Sequence, residues 1–281
     1  MTTRDDWPAD EIKRLAQGSG KPLEVECAMA FLAERWLPRL GCYYRNNREL
    51  DVLATREEHL KESGIICRVR VVVSCRGFPA KHAPLAYSVS DGCVPALPPS
   101  FLAEHRWSSA TSRSTHGALV DIEHQVAQWT IGHAQMGTQR PLVAFDLAER
   151  NKGKDPEFKL LGDRSYYPSL DSAVQAAFHW SAEDYNTNGS FATLCVPVCL
   201  LSIPFWDVCI NDGVVNDVVP RSLGFQTNSY PGRHASNNRC NVTVLVYSRE
   251  KLGELLSTLD TTFINFRNLI EKQSSDWKLT T

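Results

Sequence analysis

Apolar residues either alternate with polar ones or recur every three to four positions through most of the chain, which predicts a succession of strands and helices. The valine-rich segment from Ile65 to Cys75 gives the strongest strand signal. Gly41 is well placed to end the first helix. Helices are predicted at 21–40, 118–134, 170–183 and 250–272, and strands at 42–45, 49–54, 65–75, 141–145, 191–208 (one or two strands broken at prolines) and 242–247.

The alternation of strands and helices predicts an α/β (or α+β) fold with a central mixed sheet flanked by helices. Residues 1–20 are polar and end in Gly-Ser-Gly, so we interpret them as a leader. Residues 21–281 then form a single domain whose part from about 150 to 281 elaborates the core. The segment 77–114 is rich in Pro, Ser and Gly, which indicates an irregular or functional segment. The charged segment 56–64 is expected to be a loop or a short helix.

Composition narrows the class of protein. Apolar residues make up 43% of the chain, charged residues 22%, and the net charge is −2, which excludes a disordered chain and a strongly basic DNA-coating protein. The nine cysteines are odd in number and scattered, so we expect reduced thiols and a cytoplasmic location. The longest apolar stretch, 192–206, is short and contains two prolines, so no membrane span is expected.

Three short pieces of sequence carry the candidate chemistry. A helix holds Pro22-Leu-Glu-Val-Glu26, a strand after a turn holds Asn47-Arg-Glu-Leu-Asp51, and the long strand ends in Val71-Val-Val-Ser74-Cys-Arg76. Carboxylates at neighbouring strand ends can hold Mg²⁺ through a few oxygens while leaving its waters in place. Such an ion stabilises charge on a phosphate and activates an attacking water.

This order of helix, strand, turn, strand and strand resembles the PD-(D/E)xK nuclease superfamily, which has the restriction-endonuclease-like fold. The resemblance covers about 22–77 and implies a Mg²⁺- or Mn²⁺-dependent phosphodiesterase acting on nucleic acid, most often DNA, in restriction, repair or defence. Asp51 matches the metal-binding aspartate of the family, and Glu24, or else Glu26, matches the helix acid. Ser74 stands where the second acid is expected, and Arg76 stands where the lysine is expected.

The two substitutions change what the motif can do. Ser74 supplies no negatively charged metal ligand, but its hydroxyl can position a water. Some restriction enzymes resemble this form of the motif, with a serine in place of the second acid, and recruit that acid from a following helix. The candidates for such a migrated acid are Glu104, Asp121 and Glu123. Arg76 keeps a positive charge that can clamp a phosphate, but its high pKa prevents it from acting as a base.

A second polar segment, 220–241, is interpreted as a loop that contributes to nucleic-acid binding. It contains Arg221, Arg233 and Arg239, together with aromatic residues suited to stacking on bases, and no acidic residue. A solvated polar loop without a ligand is the alternative. Arginines elsewhere that could add to a local basic groove are Arg106, Arg113 and Arg140.

Three functional hypotheses remain open at this stage. The first is an active metal-dependent nuclease with Asp51, Glu24, Ser74 and Arg76 at its centre. The second is a catalytically silent member of the same fold that binds nucleic acid or a partner protein, or assembles as a homodimer. The third is an unrelated α/β enzyme whose pocket uses a cysteine.

Overall fold

A computed structural model of the chain contains two mixed β-sheets and four α-helices within the residues it describes. Those residues are 13, 20–44, 48–79, 81–89, 97–107, 115–137, 139–150, 157–161, 167–182, 189–231 and 239–278. The helices are α1 (Lys21–Ala33), α2 (Val120–His133), α3 (Tyr167–Ala182) and α4 (Leu252–Lys278). The strands are β1 (Leu37–Tyr44), β2 (Arg48–His59), β3 (Ile66–Arg76), β4 (His82–Val89), β5 (Leu102–Trp107), β6 (Thr115–Ala118), β7 (Leu142–Arg150), β8 (Phe158–Leu160), β9 (Phe191–Leu201), β10 (Phe205–Asn211), β11 (Val214–Arg221), β12 (Leu223–Pro231) and β13 (Arg239–Ser248).

The larger sheet has the strand order β1-β2-β3-β9-β13-β12, and β5 and β6 extend it beside β9. Strands β1, β2 and β3 form an antiparallel meander, whereas β3, β9 and β13 run parallel to one another. The chain that connects the parallel strands β3 and β9 contains α2, α3 and most of the second sheet. That second sheet has the order β11-β10-β4-β7-β8.

Helices α1, α2 and α4 cover one face of the larger sheet. Leu23, Cys27 and Phe31 recur every four residues on α1 and are buried, which gives that helix one core-facing stripe. Trp36, just after α1, is fully buried: its indole N–H donates to Asp260 of α4 (2.8 Å), and its ring packs edge-on against Phe31. These contacts fix α1 and α4 on the same face.

Helix α3 and the second sheet cover the other face. Leu142 and Phe145 of β7 and Phe205 of β10 share a buried cluster with Val72 of the larger sheet. The two sheets lie close together at Gly224, where a Cβ atom would lie 2.9 Å from Leu142 Cδ1. A side chain at that position would require the Leu142 side chain to move.

The structure confirms the mixed α/β class and several of the predicted elements. The strand predicted at 65–75 is β3, and the helices predicted at 118–134, 170–183 and 250–272 are α2, α3 and α4. Residues 1–12 and 14–19 lie outside the described part of the chain, and with them most of the expected leader.

Four expectations about elements are wrong. Helix α1 ends at Ala33, not near Leu40, because Arg35 takes a left-handed conformation (φ 63°) and turns the chain into β1. Residues 56–59 continue β2, because they pair with β3 as far as His59. Pro197 does not interrupt β9: it lies where one edge of this strand changes partner from β5 to β13. The segment 220–241 begins as paired strand, because β12 runs antiparallel along β13.

Within the described residues, no helix is both long and apolar enough to cross a membrane.

Phe266, which is fully buried on α4, provides a test of this packing. We expect Phe266→Ala to lower the free energy of unfolding by about 3–5 kcal/mol, because it removes a large side chain and leaves a cavity. Urea unfolding followed by circular dichroism measures this change. Ile264→Ala, on the exposed side of the same helix, is the matched control and should cost less than about 0.5 kcal/mol. Equal losses in the two variants would contradict the assigned helix face.

Candidate active site

The larger sheet splits at the start of β2 and the end of β3. The β2–β3 ladder ends at the pair Val52 and Val73, whereas β3 stays paired with β9 as far as Arg76. Asp51 and Ser74 are the next residues beyond the last β2–β3 pair. The Asp51 carboxylate fills the split: its Oδ2 accepts the backbone N–H of Cys75 (2.7 Å) and the hydroxyl of Ser74 (3.4 Å).

The N-terminus of α1 meets the same point. Gly20 precedes the helix in a left-handed conformation (φ 83°), and a Cβ atom there would lie 3.4 Å from the backbone nitrogen of Gly77. A glycine is therefore suited to this position on two grounds, its backbone angle and its close contact with the chain after β3. Glu24 lies in the first turn of α1, where the helix dipole favours a negative charge.

A lysine links the helix to β2. Lys21 Nζ lies 2.9 Å from Glu24 Oε2 and 3.2 Å from Glu49 Oε1, so these two carboxylate oxygens are no more than about 6 Å apart. Glu49 and Asp51 are two residues apart on β2. We call Lys21, Glu24, Glu49 and Asp51 the split-sheet cluster. It contains three carboxylates and one ammonium group.

The surroundings of Asp51 disfavour its charged form. Burial raises the pKa of this carboxyl most, and the negative charges of Glu24 and Glu49 raise it further. The Cys75 N–H and the charge of Lys21 lower the pKa of Asp51 without cancelling the rise. The hydrogen bond to Glu24 raises the pKa of Lys21, so its ammonium form is strongly held. Acidic groups crowded in this way are typical of functional sites.

Ser74 and Arg76 project from the same face of β3, because side chains two apart on a strand point the same way. Ser74 is buried beside Asp51, and Arg76, two residues further along β3, is half-buried. Arg76 also acts on Cys199 of β9: burial raises the pKa of that thiol to about 12, and the guanidinium opposes the rise. The positive charge of Arg76 therefore reaches into the sheet beside the split-sheet cluster.

The other candidate for the helix acid lies elsewhere. Glu26 is paired with Arg249, whose Nε is 2.8 Å from Glu26 Oε2, and it is not part of the split-sheet cluster. Sequence reasoning favoured Glu24 over Glu26, and the geometry separates the two in the same way.

None of the three migrated-acid candidates reaches the cluster. Glu104 pairs with Thr193 of β9, whereas Ser74 pairs with Cys199 of the same strand. Six residues, or about 20 Å, separate these two positions along β9. Glu123 is buried and accepts the backbone N–H of Ala103 (2.6 Å), so it satisfies a strand donor near that same end. Asp121 is exposed on α2.

The two described arginines of 220–241, Arg221 and Arg239, both lie on strands and not in a loop. Arg221 ends β11 and pairs with the buried carboxylate of Asp207 (2.7 Å), so its charge is balanced inside the protein. Arg239 is exposed at the start of β13, six residues before that strand first pairs with β9, and so at the end of the sheet away from the cluster. Arg233 lies outside the described residues.

Of the further arginines considered with that loop, Arg140 is the one whose side chain lies within the described residues. Arg140 donates to the sulfur of Cys209. The side chain of Arg106 and the whole of Arg113 lie outside the described part of the structure.

Sequence reasoning missed Lys21 and Glu49. The signal for both was present: Lys21 is three residues before Glu24, which places the two on one helix face, and Glu49 is two before Asp51, which places them on one strand face. What the sequence lacked was the contact between the helix start and the strand.

The thiols near the site are poor nucleophiles. Cys75 forms a hydrogen bond with Cys27, and this bond and burial raise the pKa of the Cys75 thiol. At the opposite end of β3, burial likewise raises the pKa of Cys67. Reactive cysteines have lowered pKa values, so these residues do not support the hypothesis of a cysteine enzyme.

The donor set suits a weakly held divalent cation. Where the structure describes the chain, no group of three or more His, Cys, Asp or Glu side chains is arranged to hold a metal ion. Mg²⁺, however, is commonly bound by one or two carboxylates and keeps several waters. Glu24 and Asp51 fit that requirement, and the four charges of the split-sheet cluster sum to −2.

Comparison of the chain with protein-family models, with curated proteins and with solved structures finds no match.

The raised pKa of Asp51 predicts that a neutral side chain at this position increases the free energy of unfolding, by an amount that depends on pH. Below the ordinary carboxyl pKa, Asp51 is protonated in both the folded and the unfolded states and costs nothing. As the pH rises, the unfolded chain ionises first, so the folded protein loses relative stability until its own raised pKa is passed. Asp51→Asn keeps an acceptor for the Cys75 N–H and should be about 1 kcal/mol more stable than the wild type at pH 7.

Urea unfolding between about pH 3.5 and 7.5 measures this gain, which should shrink towards the acid end. Asp212→Asn, at the exposed turn between β10 and β11, is the control and should change the free energy of unfolding by less than about 0.5 kcal/mol. A loss of stability in Asp51→Asn at pH 7 would show that the charged form is favoured there.

Proposed function

We propose that this chain is a metal-dependent phosphodiesterase that acts on nucleic acid, with its active centre at the split-sheet cluster. The observation that supports this most is the meeting of three separate pieces of chain, the start of α1, the start of β2 and the end of β3, around Asp51. The three carboxylates of the split-sheet cluster outnumber its one ammonium group by two. A divalent cation would balance that excess.

The order of elements also supports a restriction-endonuclease-like core. A helix carrying Glu24 is followed by the antiparallel strands β1, β2 and β3, and a further strand, β9, lies parallel to β3 after the intervening helices α2 and α3. In this proposal the second sheet is an elaboration of that core. The free cysteines among the described residues suit a reducing compartment, so we place the protein in the cytoplasm, with a role in restriction, repair or defence.

The residues have separate tasks in this proposal. Asp51 and Glu24 would hold Mg²⁺ or Mn²⁺, which supplies charge stabilisation at the phosphate and an activated water. Ser74, already hydrogen-bonded to Asp51, would orient the attacking water. Arg76 would bind the phosphate through its fork of N–H donors. Lys21 would add a positive charge at the cluster, where β3 lacks the lysine of the motif.

A second function, that of a silent nucleic-acid-binding module, is favoured by one specific observation. Ser74 and Arg76 stand where an acid and a lysine support catalysis in the family that the sequence resembles. Both residues can still contact phosphate. Ser74, however, does not supply the carboxylate metal ligand, and Arg76 does not release a proton as a lysine can. Binding without cleavage is the expected behaviour of such a module.

Cleavage assays distinguish these two functions. Purified protein is incubated with plasmid, single-stranded DNA and RNA in Mg²⁺ or Mn²⁺. We expect cleavage that falls at least about 100-fold in Asp51→Asn and Glu24→Gln, because each removes a charge from the proposed cation site. Glu26→Gln is the matched control, because it changes the same residue type two positions along the same helix, where it is bound to Arg249.

Each outcome has a separate meaning. Cleavage retained in Asp51→Asn would overturn the proposed site. Nucleic-acid binding with no cleavage by the wild type would favour the silent module. Neither binding nor cleavage by the folded protein would refute both.

Replacement of Lys21 should separate metal binding from catalysis. The ammonium group lies between Glu24 and Glu49 and competes with a divalent cation for them. We expect Lys21→Met to bind Mn²⁺ several-fold more tightly than the wild type and yet to cleave more slowly, because it lacks a charge near the phosphate. Isothermal titration with Mn²⁺ measures the first effect, and the cleavage assay measures the second. Weaker Mn²⁺ binding in Lys21→Met would show that Lys21 supports the cation site through folding.

A further inference from the structure

A polar cavity of about 360 Å³ lies at the end of β13, between the end of α2 and the first turns of α4. We call it the β13 cavity. Strands β3, β9 and β13 run parallel and end at this edge of the larger sheet, where Tyr247 of β13 and Cys75 of β3 both pair with Leu200 of β9. Two strand spacings, about 10 Å, therefore lie between Tyr247 and Cys75, which borders the split-sheet cluster. Ligands of open α/β sheets are bound outside the carboxyl ends of parallel strands.

Tyr247 brings a buried hydroxyl without a hydrogen-bond partner to the lining of the β13 cavity. The residue is fully buried, and its Oη has no partner of good geometry among the described residues. Burial raises the pKa of Tyr247 to about 12, and the nearby Thr258 hydroxyl opposes that rise. The phenol therefore stays protonated, so that it offers one donor as well as an acceptor. A buried hydroxyl left without a partner is costly, so a ligand that supplies one is favoured.

A second unpartnered atom belongs to the same lining. The Oε1 of Gln139, in the chain after α2, is buried and accepts no hydrogen bond from the described residues. Gln135, which also lines the cavity, takes a left-handed conformation (φ 56°) just past the end of α2. Glycine is the usual residue at such a position, so glutamine there costs backbone strain and adds a polar side chain that glycine lacks. The lining thus contains two amide side chains, one of them with a free buried acceptor.

The charged groups of the lining are already paired. Lys251 and Glu254, one turn apart at the start of α4, bind each other. The ring of His133, at the end of α2, shares a hydrogen bond with the hydroxyl of Thr261 (3.3 Å). A ligand with a net charge would therefore have to break the ion pair to find an opposite charge among these residues. The groups left to bind a ligand are neutral hydroxyls and amides.

We propose that the β13 cavity binds a small neutral polyol of the monosaccharide class. A hydroxyl both donates and accepts, so one sugar hydroxyl can donate to the Gln139 amide oxygen while another pairs with the Tyr247 phenol. The volume of about 360 Å³ is near the lower end of the range for ligand pockets, which suits a ligand of that size. The assignment does not rest on the proposed function, because it uses none of the residues of the split-sheet cluster.

The distribution of the polar groups favours a sugar over a planar ligand. They come from three elements: the amides from the chain after α2, the phenol from β13, and the hydroxyls of Ser257 and Thr258 from α4. A nucleobase has its hydrogen-bonding groups along its edges only and would leave some of these groups unpaired. A sugar carries hydroxyls around its whole ring and can meet groups from all three elements at once.

Saturation-transfer NMR on the full chain tests this proposal. The probes are D-ribose, D-glucose and D-galactose, with adenine as a planar comparator and acetate as a charged one. We expect at least one of the sugars to bind, and Tyr247→Phe and Gln139→Met each to weaken its binding by about 3- to 10-fold, the effect of one lost hydrogen bond. Tyr43→Phe on β1 and Gln125→Met on α2 make the same changes at exposed positions and should leave binding unchanged.

Three results would overturn the proposal. These are saturation of none of the sugars, saturation of adenine or acetate alone, and sugar binding that is equal in the wild type and both cavity variants. Urea unfolding checks the variants: Tyr247→Phe should unfold at the same urea concentration as the wild type or a higher one, because it removes a hydroxyl that lacks a partner. If Tyr247→Phe unfolds more easily, its hydroxyl is structural, and unchanged sugar binding in Gln139→Met then overturns the proposal.

Discussion

The position of one carboxylate governs the arrangement of the site. Strands β2 and β3 separate at Asp51, and the strand donor that this leaves on Cys75 is satisfied by the Asp51 side chain. A backbone N–H left unpaired in this buried region would be costly, so Asp51 has a structural role alongside the chemical one that we propose for it. The same separation gives room for the start of α1, which brings Lys21 and Glu24 to the split.

Local patterns predicted the elements better than their ends. The alternation in 65–75 identified β3, because a run of valines with buried faces has few alternatives to a strand. The end of α1 was misjudged, because Arg35 takes a left-handed conformation that favours glycine, while Gly41 takes its own left-handed conformation within β1. The preference for glycine at helix ends therefore pointed to Gly41, although the left-handed residue that follows α1 is Arg35.

The site was predictable in part for the same reason. Asp51, Ser74 and Glu24 were found because each belongs to a short motif whose order along the chain follows the order of elements. Arg221 shows why charge along the sequence does not reveal which groups are balanced in space: its charge is balanced by Asp207, which lies in a different strand.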